Sequence, residues 1–72
     1  MTRLKSERLK RGWSLQALGF HAGIQGAEIS KIERRILQPY PKQLERLAQV
    51  LELTASQVLE EVTHEERKRV AI

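Results

Sequence analysis

The sequence predicts an all-α fold, a compact bundle of four to five short helices. Three observations carry that expectation. Apolar residues recur at helical spacing, most clearly at Leu44, Leu47, Ala48 and Leu51. Capping and stop residues punctuate the chain at helix-length intervals: Thr2, Gly12, Ser14, Gly23, Pro41 and Thr54. At 72 residues with no cysteine, the chain can form neither a disulfide nor a thiolate zinc site. A chain this short buries only about 60% of the surface its unfolded form exposes. It must draw its stability from a small helical core, helped by oligomerisation.

Thr2 caps the first helix, which runs to about Arg11 with Leu4 and Leu9 as its sparse apolar positions. Arg8 falls one turn after Leu4, and Gly12 ends the helix. Ser14 caps the second, whose stripe is Leu15, Leu18 and Ala22. Gly23 stands where that helix must stop, because glycine takes the left-handed conformation without strain. After Ile24 and Gln25, helix 3 carries Ile29, Ile32 and Ile36. Residues 38–41 form the clear loop, and Pro41 suits the first turn of helix 4. Thr54 and Gln57 make a capping-box pattern for helix 5, which carries Val58, Leu59 and Val62. Residues 1–62 are thus expected to form one domain. Residues 63–72 form a charged C-terminal tail that is a kinked helical continuation, a separate turn or frayed.

Several function classes fall away. There are no paired carboxylates in a cleft pattern, no glycine-rich phosphate loop and no nucleophile with its base, so no enzyme is expected. His21 and His64 lie too far apart for metal-ligand spacing, and neither a metal nor a cofactor is expected. No window approaches the ~18 apolar residues of a membrane span, and no apolar leader follows the N-terminus. A cytoplasmic protein with no membrane contact is expected.

The formal charge of +4 is unevenly spread. Residues 1–42 sum to +6, residues 43–66 to −5, and the last six add +3. Such a division fits a molecule with one face toward a polyanion, or simply solvated helix faces.

The stretch from Ser14 to Arg35 carries the most information. Two short helices joined by a tight turn must cross closely, so a small residue is needed where the backbones meet. Gly19 fills that place, and Gly23 supplies the turn four residues later. Ile29 and Ile32 then bury the second helix. This succession of small, glycine, apolar and apolar residues is that of a helix-turn-helix.

Gly12, Ser14, Leu18, Ala22, Gly23, the run Ile29-Ser30-Lys31-Ile32-Glu33-Arg34, Pro39 and the stretch Leu44 to Leu53 carry a family resemblance. The chain resembles the small lambdoid phage repressor and Cro-type DNA-binding domains of the Xre family, from about Leu4 to Leu59. The resemblance implies a lambda-repressor-like fold of five helices, double-stranded DNA bound through helix 3, and a homodimer on a two-fold site. It also implies an ion pair between Arg8 and Glu33. The residues themselves agree: Arg8 sits on the apolar stripe, where a charge needs a partner.

In that geometry the first turn of helix 3 enters the major groove, and Gln25, Gly26, Ala27, Glu28, Ser30 and Lys31 are the candidates to reach base edges. Gln25 suits adenine, Lys31 guanine, and Ala27 a thymine methyl. Glu28 either accepts from cytosine N4 or favours the helix dipole. Family members usually carry longer polar side chains where Gly26 and Ala27 stand. The small pair implies close backbone approach with shape readout, or a copy that no longer reads DNA tightly. Ser14 and Gln16 at the start of helix 2, with Arg34, Arg35 and Lys42, are the phosphate candidates, the last three along one strand. Lys10 and Arg11 are weaker candidates.

A family-like dimer would use Leu53, Val58, Leu59 and Val62, which cannot all face so small a core. The alternative is that they cap the core of a monomer. Trp13 is expected as a core or hinge residue, Tyr40 as a loop anchor, and Phe20 as a partly exposed residue that is either a sticky patch or a protein contact. Three functions compete: a repressor, a restriction–modification controller protein, and an antitoxin or other interaction module with a protein partner and weak DNA binding.

Overall fold

A computed structural model of the chain describes residues 1–62. The tail expected at 63–72 lies outside the described residues. Thr2 opens α1 (Arg3–Lys10), its hydroxyl accepting the Lys5 amide at 3.1 Å. That bond satisfies an amide the helix itself cannot pair. Ser14 does the same for α2 (Leu15–Ala22), accepting the Ala17 amide at 3.0 Å. α2 stops at Gly23, with φ 69° and ψ 35°. After two intervening residues begins α3 (Gly26–Glu33).

α3 is shorter than the apolar spacing predicts. Ile36 lies beyond it and is 65% exposed. Arg35 adopts φ 62°, which breaks the helical path before Ile36 can return to the inner face. The loop therefore runs over 34–40, not 38–41. Pro41 takes the first position of α4 (Pro41–Leu51), where its missing amide costs nothing. α4 ends at Glu52 in the left-handed conformation, φ 58° and ψ 43°.

α5 (Ala55–Val58) is a single turn. The Gln57 side chain accepts the Thr54 amide at 2.9 Å, while the Thr54 hydroxyl lies 3.1 Å from that of Ser56. Leu59 and Val62 are not on this helix, contrary to the periodicity. The chain extends instead and pairs with the N-terminus. Thr2 and Glu61 form an antiparallel bridge; the Arg3 amide donates to Glu60 O at 2.7 Å and the Val62 amide to Met1 O at 2.9 Å.

α2 packs on α3 and α4, α1 on α4 and α5, and α4 on α5. Leu4, Leu18, Ile29, Ile32, Leu47, Leu51 and Val58 are fully buried between them. The α2–α3 crossing needs Gly19, since a Cβ there would overlap the Ile24 carbonyl oxygen. Every buried side-chain nitrogen and oxygen among the described residues has a partner. Among those residues no helix is long and apolar enough to cross a membrane.

Candidate nucleic-acid interface

The orientation of α3 is set from behind. The Arg8 guanidinium meets the Glu33 carboxylate through two bonds, Nε to Oε2 at 2.7 Å and Nη2 to Oε1 at 3.1 Å. Its third nitrogen donates to Trp13 O at 2.9 Å. The two side chains are 9% and 5% exposed. One buried guanidinium thus joins α1, the α1–α2 link and the last residue of α3. A planar fork suits this task, because each arm has its own acceptor.

The outer side of α3 carries the candidate base readers. Gln25, Ala27 and Lys31 are exposed; Gly26, Glu28 and Ser30 are half-buried. Gln25 is the N-cap residue, with its side chain not used in the cap. Gly26 lies against the Leu15–Gln16 peptide, which a Cβ would touch at 3.4 Å. That is ordinary van der Waals contact, so the crossing of α3 with the start of α2 does not itself demand a glycine here. Glu28 is turned toward α4 and not presented as a free acceptor: its Oε2 accepts from Gln43 Nε2 at 2.9 Å. Gln43 in turn accepts the Tyr40 amide through Oε1 at 3.0 Å. Sequence reasoning missed Gln43, although its place three residues after the α4 cap was the signal.

The phosphate candidates divide. Ser14 and Gln16 are exposed at the start of α2, where the first amides of a helix have no intrahelical acceptor. Lys31 and Lys42 are exposed and have no hydrogen-bond or ion-pair partner among the described residues. Arg34 is exposed, and among the described residues its Nε reaches only Ser30 O, at 3.4 Å. Arg35 departs from that set. Its guanidinium donates to Leu59 O at 3.1 Å and to Glu61 Oε1 at 2.8 Å, so it faces the C-terminal segment. The left-handed turn at Arg35 is what swings it away. On α1, Lys10 and Arg11 both bind Glu7, at 3.3 and 2.8 Å.

The acids holding these cations titrate low. Burial pushes the Glu7 carboxyl up, but hydrogen bonds from Arg11 and Lys10 outweigh it and leave the group below the usual carboxylate range. Glu61 is held low by hydrogen bonds from the N-terminal ammonium and from Arg35. Among the described residues, cations without an acidic partner include Lys31 and Arg34 on and just after α3, and Lys42 at the start of α4; Lys5 and Arg46 share that state.

The apolar residues expected at an interface are redistributed. Val58 and Val62 are 0% and 2% exposed, because the bridge to Thr2 folds the C-terminal segment onto the core. Neither can meet a second molecule while the chain is folded in this way. Leu53 and Leu59 are half-buried. The exposed aliphatic and phenyl side chains lie elsewhere among the described residues: Leu9 (44%) on α1, Ile36 and Leu37 (37%) in the 34–40 loop, and Phe20 (85%) on α2. Trp13 is half-buried and stacks on His21 at 4.4 Å, with the Phe20 ring edge-on to His21 at 5.6 Å. Tyr40 anchors the loop through its backbone, while its side chain is 73% exposed.

A family model described as a helix-turn-helix domain matches residues 2–60. Among solved structures, a chain of the SinR protein/SinI protein complex is similar, with 31% sequence identity and a TM-score of 0.73. The match spans 96% of this chain and 72% of that one. No curated protein matches.

Proposed function

Since the chain belongs to the helix-turn-helix domain family, we propose that it is a sequence-specific DNA-binding transcriptional regulator acting as a homodimer on a two-fold site. α3 enters the major groove, and residues 1–62 form the binding unit. The observation that carries this reading is the distribution of partnered charge. Both acids of α3 are engaged, Glu33 by Arg8 and Glu28 by Gln43. Among the described residues, Lys31, Arg34 and Lys42 are left without carboxylate partners around the same helix. A surface whose acids are withdrawn and whose cations are displayed attracts a polyanion.

Base readout then rests on Gln25, Ala27, Ser30 and Lys31. The α2 amides beside Ser14 and Gln16 take one phosphate region, and Arg34 with Lys42 take another. Six phosphate contacts per dimer would give a log–log salt slope of about −5. The second copy docks on Ile36 and Leu37 together with Leu53 and Leu59, placing the two recognition helices about 34 Å apart. Such a regulator binds and does not catalyse, and its place is the cytoplasm.

Selection of duplexes from a random pool at two salt concentrations tests this reading. A palindromic motif whose enrichment weakens at the higher salt is the expected result. No enrichment overturns it and favours a module that acts through a protein partner. Phe20, 85% exposed, supports that second reading, as does the complex in which the similar chain was solved. Sedimentation at micromolar concentration tests the dimer; a species of monomer mass throughout removes it.

A further inference from the structure

Gln43 lies on α4, yet its side chain is committed at both ends. Nε2 donates to Glu28 in the first turn of α3, and Oε1 accepts the Tyr40 amide at the start of α4. These neighbours fix which way the amide points. Turned over, its carbonyl would face a carboxylate and its NH2 would face an N–H. Gln43 belongs to α4 and its oxygen is fixed by the amide of the α4 N-cap residue, so Glu28 is tethered to a rigid element.

This matters because of where Glu28 stands. It is flanked by Ala27, Ser30 and Lys31, on the helix proposed to face DNA. A carboxylate free to swing there would meet phosphate oxygens of its own sign. We infer that Gln43 is a positioning residue for DNA binding. It holds the Glu28 carboxylate against α4, as Arg8 holds that of Glu33, so that α3 presents only Lys31 as a charged group within its span. The same tether withdraws Glu28 from cytosine N4. The inference rests on the DNA-binding reading above.

Four proteins test it on a duplex carrying the selected motif: wild type, Gln43→Ala, Glu28→Gln, and the double variant. Gln43→Ala releases the carboxylate and should weaken binding roughly fivefold, the scale of one like-charge contact in water. Glu28→Gln keeps the hydrogen bond to Gln43 and should stay within about twofold of wild type. Combined with Gln43→Ala, it should restore most of the lost affinity. The melting temperatures of Gln43→Ala and the double variant should remain alike, because neither supplies the Tyr40 acceptor. Rescue of affinity without rescue of stability is the result a merely structural role would not produce. Equal binding by Gln43→Ala and wild type overturns the inference. So does a Glu28→Gln variant that binds more tightly with Gln43 present, since Glu28 would then already face the DNA. A wild-type chain that binds no duplex instead removes the reading beneath it.

Discussion

α2 and α4 end in the same left-handed conformation, but one is closed by Gly23 and the other by Glu52. The contrast continues in the chain beyond each stop. After Gly23 the chain makes a tight elbow whose parts are near in sequence: Gly19, Gly23, Ile24 and Gly26. After Glu52 the chain forms one helical turn and then an extended strap, held by residues from the other end of the molecule. Met1, Arg3 and Arg35 grip Glu60, Glu61 and the Leu59 carbonyl. The elbow is local and steric. The strap is long-range and built largely from exposed ion pairs, which individually contribute little. The elbow region should therefore be intolerant of substitution, and the strap forgiving.

The largest expected effect lies behind the elbow. Arg8→Ala leaves Glu33 buried without a counter-ion and should cost about 3–5 kcal/mol, measured by urea denaturation. An unchanged melting temperature would refute the buried pair. Gly19→Ala comes next. The new methyl meets backbone, not a flexible side chain, so about 1–3 kcal/mol should be lost to overpacking. The two helix stops then give a mirrored pair. Gly23→Ala should lose about 1–2 kcal/mol, and Glu52→Gly should gain up to about 1 kcal/mol, because only non-glycine residues strain there. Equal effects of the same sign would erase the contrast between the two stops.

Arg35→Ala probes the strap directly. Its guanidinium faces Glu61 and Leu59, so the salt slope of DNA binding should be unchanged. Lys42→Ala should make that slope shallower by about 0.9 for every phosphate left without its lysine. Acid provides the smallest and broadest probe. The folded-state carboxyls of Glu7 and Glu61 titrate below their ordinary value. Their contribution is present above that ordinary value and disappears as pH falls through the lowered one. The melting temperature should decline on acidification below about pH 4.5, with Glu61→Gln flattening the decline. A decline unaffected by that substitution would mean the strap pairs contribute nothing.

The elbow was legible in the sequence because its causes are single residues. A glycine at a left-handed stop, a small residue at a crossing and a hydroxyl at a cap each announce one conformation. Arg8 was legible for a related reason: a charge on an apolar stripe demands a partner, whatever that partner is. Ile36, Leu59 and Val62 were misplaced by periodicity, which specifies spacing but not where a helix ends. Gln43 was passed over because an amide on a helix surface carries no mark of what it will hold.

By itself, then, the sequence determined the all-helical class, the starts of α1, α2, α4 and α5, the stop at Gly23 and the need to pair Arg8. These depend on backbone sterics and burial within a turn or two, and they act before distant segments meet. Only the tertiary structure decided that Arg35 serves the strap and not the loop's outer face. It decided that Val58 and Val62 complete the core, and that Glu28 answers to Gln43. Each of those outcomes is a choice among several polar or apolar partners. It is resolved only when the packed elements bring one of them within about 3 Å of a donor or shut water from one side chain rather than another.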